Sequence, residues 1–281
     1  MTAQKAMNKV APMRLSTAEV EAYHRDGYLV PRYRLPPSDL ALLQKLMAKL
    51  VAENPGLVDQ PIASPHIPDG GSQGLKSTSK WLDIATHPDL LDMAEQLIGP
   101  DIILWGSTVF YKRAEKGPAT NWHRDGAYWP IRPLATTSIW IAATNSNVDN
   151  GCLTIIPGSH KAREIGTHVK VERDDVMFRQ ALADVEVDKS RSVNVELEPG
   201  QMVIFDVYTI HGAGPNHGTA PRAGYSLRLM PATSHFDHDG GDPSHVDDTP
   251  AAAYATRALM LVRGVDRGGN DLTRGHRPVA G

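Results

Sequence analysis

Between residues 102 and 232 the chain breaks repeatedly into short runs rich in β-branched and aromatic residues: IILWGSTVFYKR, TTSIWIAATN, CLTIIPG, VNVELEPG, QMVIF and GYSLRLMPA. Turn residues bound these runs, and that pattern predicts strands joined by tight connections. Glu198-Pro199-Gly200, between two of them, predicts a tight hairpin. The stretch 161–191 interrupts the pattern, being charged and partly helical in character. A chain built this way folds into a β-barrel or a sandwich.

Ahead of the strands the texture is helical. Ser16 and Glu19 form an S-x-x-E capping box, opening a helix that should stop near Gly27. YLVPRY (28–33) reads as extended. Ser38 starts a second helix, whose apolar residues at 40, 43, 46, 47 and 50 recur at helical spacing before Asn54-Pro55-Gly56 ends it. Residues 57–80 are rich in Pro, Gly and Ser and read as a loop. HPDLLDMAEQLIGP (87–100) is a third helix, with Pro88 near its start and Gly99 just past its end. The tail from 232 is polar. No repeat and no linker appears, so residues 1–281 read as one domain: helices over about 14–100, a β core over about 101–232, and the tail.

Composition closes several functional classes. The net charge is −3 and no basic stripe appears, which argues against nucleic acid as a partner. One cysteine, Cys152, rules out a disulfide framework and a cysteine-rich zinc site, and suits a reducing compartment such as the cytoplasm. No apolar run of about 18 residues predicts a membrane span. The first residues lack a signal-peptide core, and RPVAG at the end carries no retention or peroxisomal tripeptide.

Within NWHRDGAYWP, His123 and Asp125 stand two apart. On an extended strand such residues share a face and can reach one metal ion. An isolated H-x-D pair is most often structural, so its context decides. The third ligand is read as His211, directly after the run QMVIFD, in preference to His217 beyond the next turn. Two histidines and one carboxylate on one face leave open positions, the pattern of non-haem Fe(II) oxygenases. Arg222, eleven residues beyond His211, suits the far carboxylate of a keto-diacid.

Taken together, HRDGAYWPIRP (123–133), SIWIAATNSNVDNGCLTIIPGSHK (138–161) and PGQMVIFDVYTIHGAGPNHGTAPRAGYSLR (199–228) resemble the phytanoyl-CoA dioxygenase family of Fe(II)/2-oxoglutarate oxygenases. The resemblance implies a double-stranded β-helix, the jelly-roll or cupin-like core of a mainly β protein with flanking α-helices. It implies Fe(II), 2-oxoglutarate and O2 as cofactors and a small molecule as substrate. His123, Asp125 and His211 match the family's iron ligands, Arg222 its 2-oxoglutarate arginine and Trp140 an aromatic of the cosubstrate pocket. The family often carries a hydroxyl residue two after the distal histidine. Here that residue is Ala213, so the second donor falls to Thr108, Thr120 or Ser226. Related halogenases replace the carboxylate ligand, so Asp125 favours hydroxylation or desaturation. Two rival readings stand beside this one: a cupin-like metal enzyme independent of 2-oxoglutarate, and a catalytically silent binding member.

Neighbouring residues are read against blander roles. Tyr128 and Trp129 either face substrate or pack in the core. Arg124 alternates with the ligands and should form a structural salt bridge. His160 is read as a hydrogen-bonded turn residue and Cys152 as a buried, inert thiol. The tail cluster His235, Asp237, His238, Asp239, Asp242 and His245 is read as a solvated loop or lid edge. Segment 161–191 is a candidate substrate lid, with Lys170, Arg173 and Arg179 either meeting an anionic substrate or lying on a solvated surface. The sequence leaves a monomer or a homodimer open.

Overall fold

Ser16 caps the first helix in the computed structural model, which describes residues 13–67, 74–240 and 254–276. Its hydroxyl accepts from the Glu19 backbone, the Glu19 carboxylate accepts from the Ser16 backbone at 2.7 Å, and Gly27 closes α1 (Thr17–Asp26) in the left-handed region at φ 81°. The second helix, α2 (Pro37–Glu53), starts one residue ahead of Ser38 and has no side-chain cap. Pro37 replaces that device, because its fixed φ suits the first helical turn. The expected loop over 57–80 contributes a short strand, and a further helix, α3 (Trp81–Ala85), follows it. In α4 (Pro88–Ile98) the His87 imidazole accepts from the Asp89 backbone and serves as cap.

The strands in chain order begin with β1 (Tyr28–Leu29), β2 (Ile62–Ala63), β3 (Ile102–Lys112), β4 (Thr120–His123) and β5 (Ile131–Arg132). Next come β6 (Thr137–Ala142), β7 (Leu153–Ile155), β8 (His168–Lys170), β9 (Gln180–Leu182) and β10 (Val193–Val195). The last are β11 (Met202–Asp206), β12 (His211–Ala213), β13 (Arg222–Pro231), β14 (His235–Phe236) and β15 (Met260–Arg263). A larger sheet runs β1-β11-β6-β13-β3-β15, with β2 also on β3, and a smaller one runs β10-β7-β12-β4. Their strands pair antiparallel. Facing each other, the two sheets make a double-stranded β-helix.

Both faces of the larger sheet are covered, so β13 is buried along almost its whole length. Alternation still sorts its side chains. Ala223, Tyr225, Leu227 and Leu229 join the core beneath α2, α3 and α4, beside Leu43, Trp81 and Leu90. Arg222, Ser226 and Arg228 face the space between the sheets. Trp140, Leu153, Ile155, Val195, Val203 and Phe205 fill one part of that space.

Three expectations change in the structure. A turn does form at Glu198–Gly200, where the Gln201 amide donates to the Glu198 carbonyl at 3.0 Å and Gly200 has φ 84°. It is not a hairpin, because β10 lies in the smaller sheet and β11 in the larger. The tail is not merely a polar appendage: β15 extends the larger sheet, and Tyr254 and Leu259 join a core with Trp105 and Phe236. Segment 161–191 holds the β8–β9 pair and short 3-10 turns in place of α-helix. Among the described residues, no helix is long and apolar enough to cross a membrane.

Candidate metal centre

Strand β4 ends at His123, and Asp125 opens a 3-10 turn, so the pair does not share one strand. Arg124 between them keeps extended angles, φ −111° and ψ 130°, which carries the alternation one residue further. His211 begins β12 and is the direct cross-strand partner of His123. The two imidazole centroids are 4.2 Å apart. Asp125 Oδ1 lies 3.6 Å from His123 Nε2 and 4.0 Å from His211 Nε2. One ligand atom from each residue falls within 4.8 Å of the others, the separation expected around one ion.

Hydrogen bonding decides which nitrogen is available. His123 Nδ1 faces the Asn121 carbonyl at 2.8 Å, and His211 Nδ1 faces the Thr209 carbonyl at 3.0 Å. A carbonyl only accepts, so each ring carries its proton on Nδ1 and turns a free Nε2 lone pair toward Asp125. Burial pushes the His211 imidazole down to about 4, helped by neighbouring His123, so it is neutral at pH 7. Burial alone would raise the Asp125 carboxyl. The neighbouring His123 ring and the positive charge of Arg228 outweigh it and hold it below the usual range. Ser138 donates to the other oxygen, Oδ2, at 3.3 Å. The donor set therefore fits a divalent ion of the Fe(II) type: two imidazoles and one carboxylate.

A pocket opens beside these ligands. Arg222, 2% exposed, reaches it with its guanidinium 4.6 Å from the centre of the Trp140 ring. Its Nε is buried without a partner, and among the described residues no carboxylate pairs with it. Burial lowers its pKa to about 10, still charged at neutral pH. Such a cation is costly to bury unless an anion meets it. Thr120 lies opposite Ala213 across the β4–β12 ladder and lines the pocket, as does Ser226. Thr108 does not: its hydroxyl accepts from Arg228 Nη1 at 3.0 Å.

Other residues singled out in the sequence lie elsewhere. Trp129 is buried against Trp105, with centroids 4.4 Å apart, and does not line the pocket. The side chain of Tyr128 lies outside the described residues, as do Asp242 and His245. Arg124 turns away from the ligands, donating from Nε to the Tyr208 carbonyl and from Nη1 to the Ile165 carbonyl, both at 3.1 Å, with Glu186 3.6 Å away. His217 is exposed. His160 is buried and bonds through Nε2 to the His24 carbonyl at 3.1 Å. Cys152 is buried, and burial pushes its thiol up. His235 and His238 bond to the Gly268 and Arg257 carbonyls. Arg173 and Arg179 sit on the outside beside Asp175 and Asp174, and neither they nor Lys170 line the pocket.

Several features of the site were not read from the sequence, Phe178, Ser138 and Arg228 among them. Phe178, from the 161–191 segment, stands 5.0 Å from the His123 ring, and Asn121 anchors its carbonyl at 2.8 Å. No local pattern marks that residue. Ser138 and Arg228 were legible in principle, since each sits an even number of residues from a pocket residue on the same strand, Trp140 and Arg222.

Comparison with known proteins agrees with this geometry. Residues 23–224 match the family model for phytanoyl-CoA dioxygenase (PhyH). The peroxisomal phytanoyl-CoA dioxygenase of Homo sapiens is 26% identical over 238 residues, covering 79% of this chain and 70% of that protein. An ectoine dioxygenase of Bordetella bronchiseptica is 26% identical over 232 residues, covering 74% of this chain and 73% of its own length. Among solved structures, the apo form of the non-heme monooxygenase ThoJ superposes with a TM-score of 0.69 at 21% identity, covering 89% of this chain and 85% of that one. EctD from S. alaskensis, solved with 2-oxoglutarate and 5-hydroxyectoine, superposes with a TM-score of 0.63 at 21% identity, covering 81% and 80%. The structural likeness speaks for the fold, and the family-model match spans most of the chain. The chain belongs to the phytanoyl-CoA dioxygenase family.

Proposed function

We propose that this protein is an Fe(II)/2-oxoglutarate-dependent dioxygenase that hydroxylates an unactivated C–H bond of a small molecule, with release of succinate and CO2. The observation that carries this reading is Arg222: a buried guanidinium without an anion, in the same pocket as three convergent metal-ligand atoms. A cupin-like enzyme independent of a keto-diacid has no use for that arginine. A silent binding member has no use for the complete ligand set. Relatives named as dioxygenases, and a structural neighbour solved with 2-oxoglutarate, support the same reading.

His123 Nε2, His211 Nε2 and Asp125 Oδ1 would hold the ion. Ferrous iron there supplies the redox chemistry that couples O2 to oxidation of a keto acid and of a C–H bond. The chain's own residues do the rest. The Asn121 and Thr209 carbonyls keep both imidazoles in the ligating tautomer, and Ser138 fixes the carboxylate. Arg222, stacked on Trp140, binds the distal carboxylate of 2-oxoglutarate. Thr120 and Ser226 offer the hydroxyl that Ala213 lacks. Phe110, Phe178 and Phe205 keep bulk water from the reacting atoms.

Anaerobic titration of the Fe(II)-loaded protein with 2-oxoglutarate tests this reading through the weak visible charge-transfer band. Wild type should show the band, His123→Ala should not, and Arg222→Met should need far more 2-oxoglutarate. A wild-type protein that holds iron and shows no band would refute the proposal.

A further inference from the structure

Arg228 lies six residues beyond Arg222 on the same face of β13. At about 3.3 Å per residue their backbones are roughly 20 Å apart. The Asp125 carboxylate is near the Arg228 end, with Oδ1 3.9 Å from Nη2. That is too long for a hydrogen bond, so the carboxylate remains available to a metal ion. The Arg228 guanidinium stands over two indoles, 5.1 Å from Trp129 and 5.7 Å from Trp105, and Thr108 holds Nη1 at 3.0 Å. Its Nε is buried without a partner, and the residue lines the pocket. The fork is thus held in place with donors to spare.

Charge balance points the same way. In the loaded site of the proposed reaction, a divalent ion and Arg222 are matched by Asp125 and the two carboxylates of 2-oxoglutarate. Arg228 is the cation left over. A low-dielectric wall with surplus positive charge attracts an anion.

We propose that Arg228 is the substrate-recognition residue and that the substrate is a small organic acid, whose carboxylate or phosphonate docks on this guanidinium from the side opposite Arg222. The inference rests on the oxygenase reading above. Arg222 selects the cosubstrate and Arg228 selects the substrate.

The test uses matched probes on the anaerobic protein saturated with Fe(II) and 2-oxoglutarate: hexanoate against hexanamide, 3-phenylpropanoate against 3-phenylpropanamide, and methylphosphonate. Binding is read from the shift of the visible band and of the thermal midpoint. In wild type at least one acid should bind at least ten-fold more tightly than its amide. Arg228→Met should abolish that preference, and Arg228→Lys should retain part of it. The proposal is overturned if no acid binds, if acids and amides bind alike, or if Arg228→Met keeps the preference. It is also overturned if Arg228→Met changes only metal affinity, which would make the guanidinium a counter-ion for Asp125. Absence of any 2-oxoglutarate band in wild type is a separate result, and it refutes the oxygenase reading itself.

Discussion

His211 and His123 are direct partners across the β12–β4 ladder, and each ring gives its Nδ1 proton to a carbonyl two residues back in its own chain. One antiparallel pairing thus sets both the separation and the tautomer of two metal ligands. Replacing either histidine by alanine should reduce bound Fe(II) from one equivalent to near none, measured by metal analysis after desalting. Metal present at a hundred-fold excess over its Kd stabilises a native state by about 2.7 kcal/mol. The thermal midpoint of wild type should therefore rise on adding metal, and that of His211→Ala should not.

Thr120 faces Ala213 from the neighbouring strand, where it offers the hydroxyl missing from the sequence motif. Thr120→Val keeps the shape and removes the donor. A hydrogen bond to a charged group contributes about 1.5–3 kcal/mol, so 2-oxoglutarate affinity should fall by roughly ten-fold to a hundred-fold. Adding Ala213→Ser to that variant should restore part of the loss. Unchanged affinity in Thr120→Val would shift the role to Ser226, and Ser226→Ala would then show the loss.

Gly224 leaves room for an indole. A Cβ at this position would overlap the Trp140 ring, the surface on which Arg222 rests. Gly224→Ala should destabilise the protein by about 1–3 kcal/mol, as overpacking does. It should also weaken 2-oxoglutarate binding. Chemical denaturation and the titration described above check both effects, and Trp140→Phe in the same chain should recover part of the stability.

His66 is fully buried, with Nδ1 2.7 Å from the Ser107 hydroxyl, and burial lowers its pKa to about 3. His211 is lowered to about 4 for the same reason. In the unfolded chain both protonate near about 6.5. Between those limits the unfolded state binds more protons, so stability falls as pH drops below about 6.5 and is untouched above it. With metal removed by a chelator, the thermal midpoint should hold from pH 8 to 7 and fall steadily from pH 6 to 4. His66→Gln should show a shallower fall, and an equal slope would mean that His66 is solvated.

Much of the local structure was legible in the sequence, for physical reasons that act over a few residues. The Ser16–Glu19 box and Gly27 bound α1 because capping and left-handed angles are satisfied within one turn. Arg124 was placed on the face away from the ligands by alternation alone, and it bonds there to the Tyr208 and Ile165 carbonyls. The Glu198–Gly200 turn was legible as a turn and misread as a hairpin. Turn chemistry reverses a chain, but it does not say which sheet the next strand joins. Beside the H-x-D pair, the sequence leaves Trp129 open to facing substrate or packing in the core. Its ring fills the core beside Trp105, since a large aromatic gains most by full burial.

The sequence alone determined the chemical inventory: a carboxylate two residues from a histidine, a second histidine after a strand, and an arginine eleven residues further on. Only the tertiary structure decided that His123 pairs with His211, that Thr120 stands across from Ala213, and that Phe178 enters from a distant segment. It also decided that Arg228 meets Asp125. Alternation says which face a side chain takes, because it follows from the pleat of a single strand. Register is a different quantity. It depends on which strands pair, and that is settled only when both sheets bury their faces together.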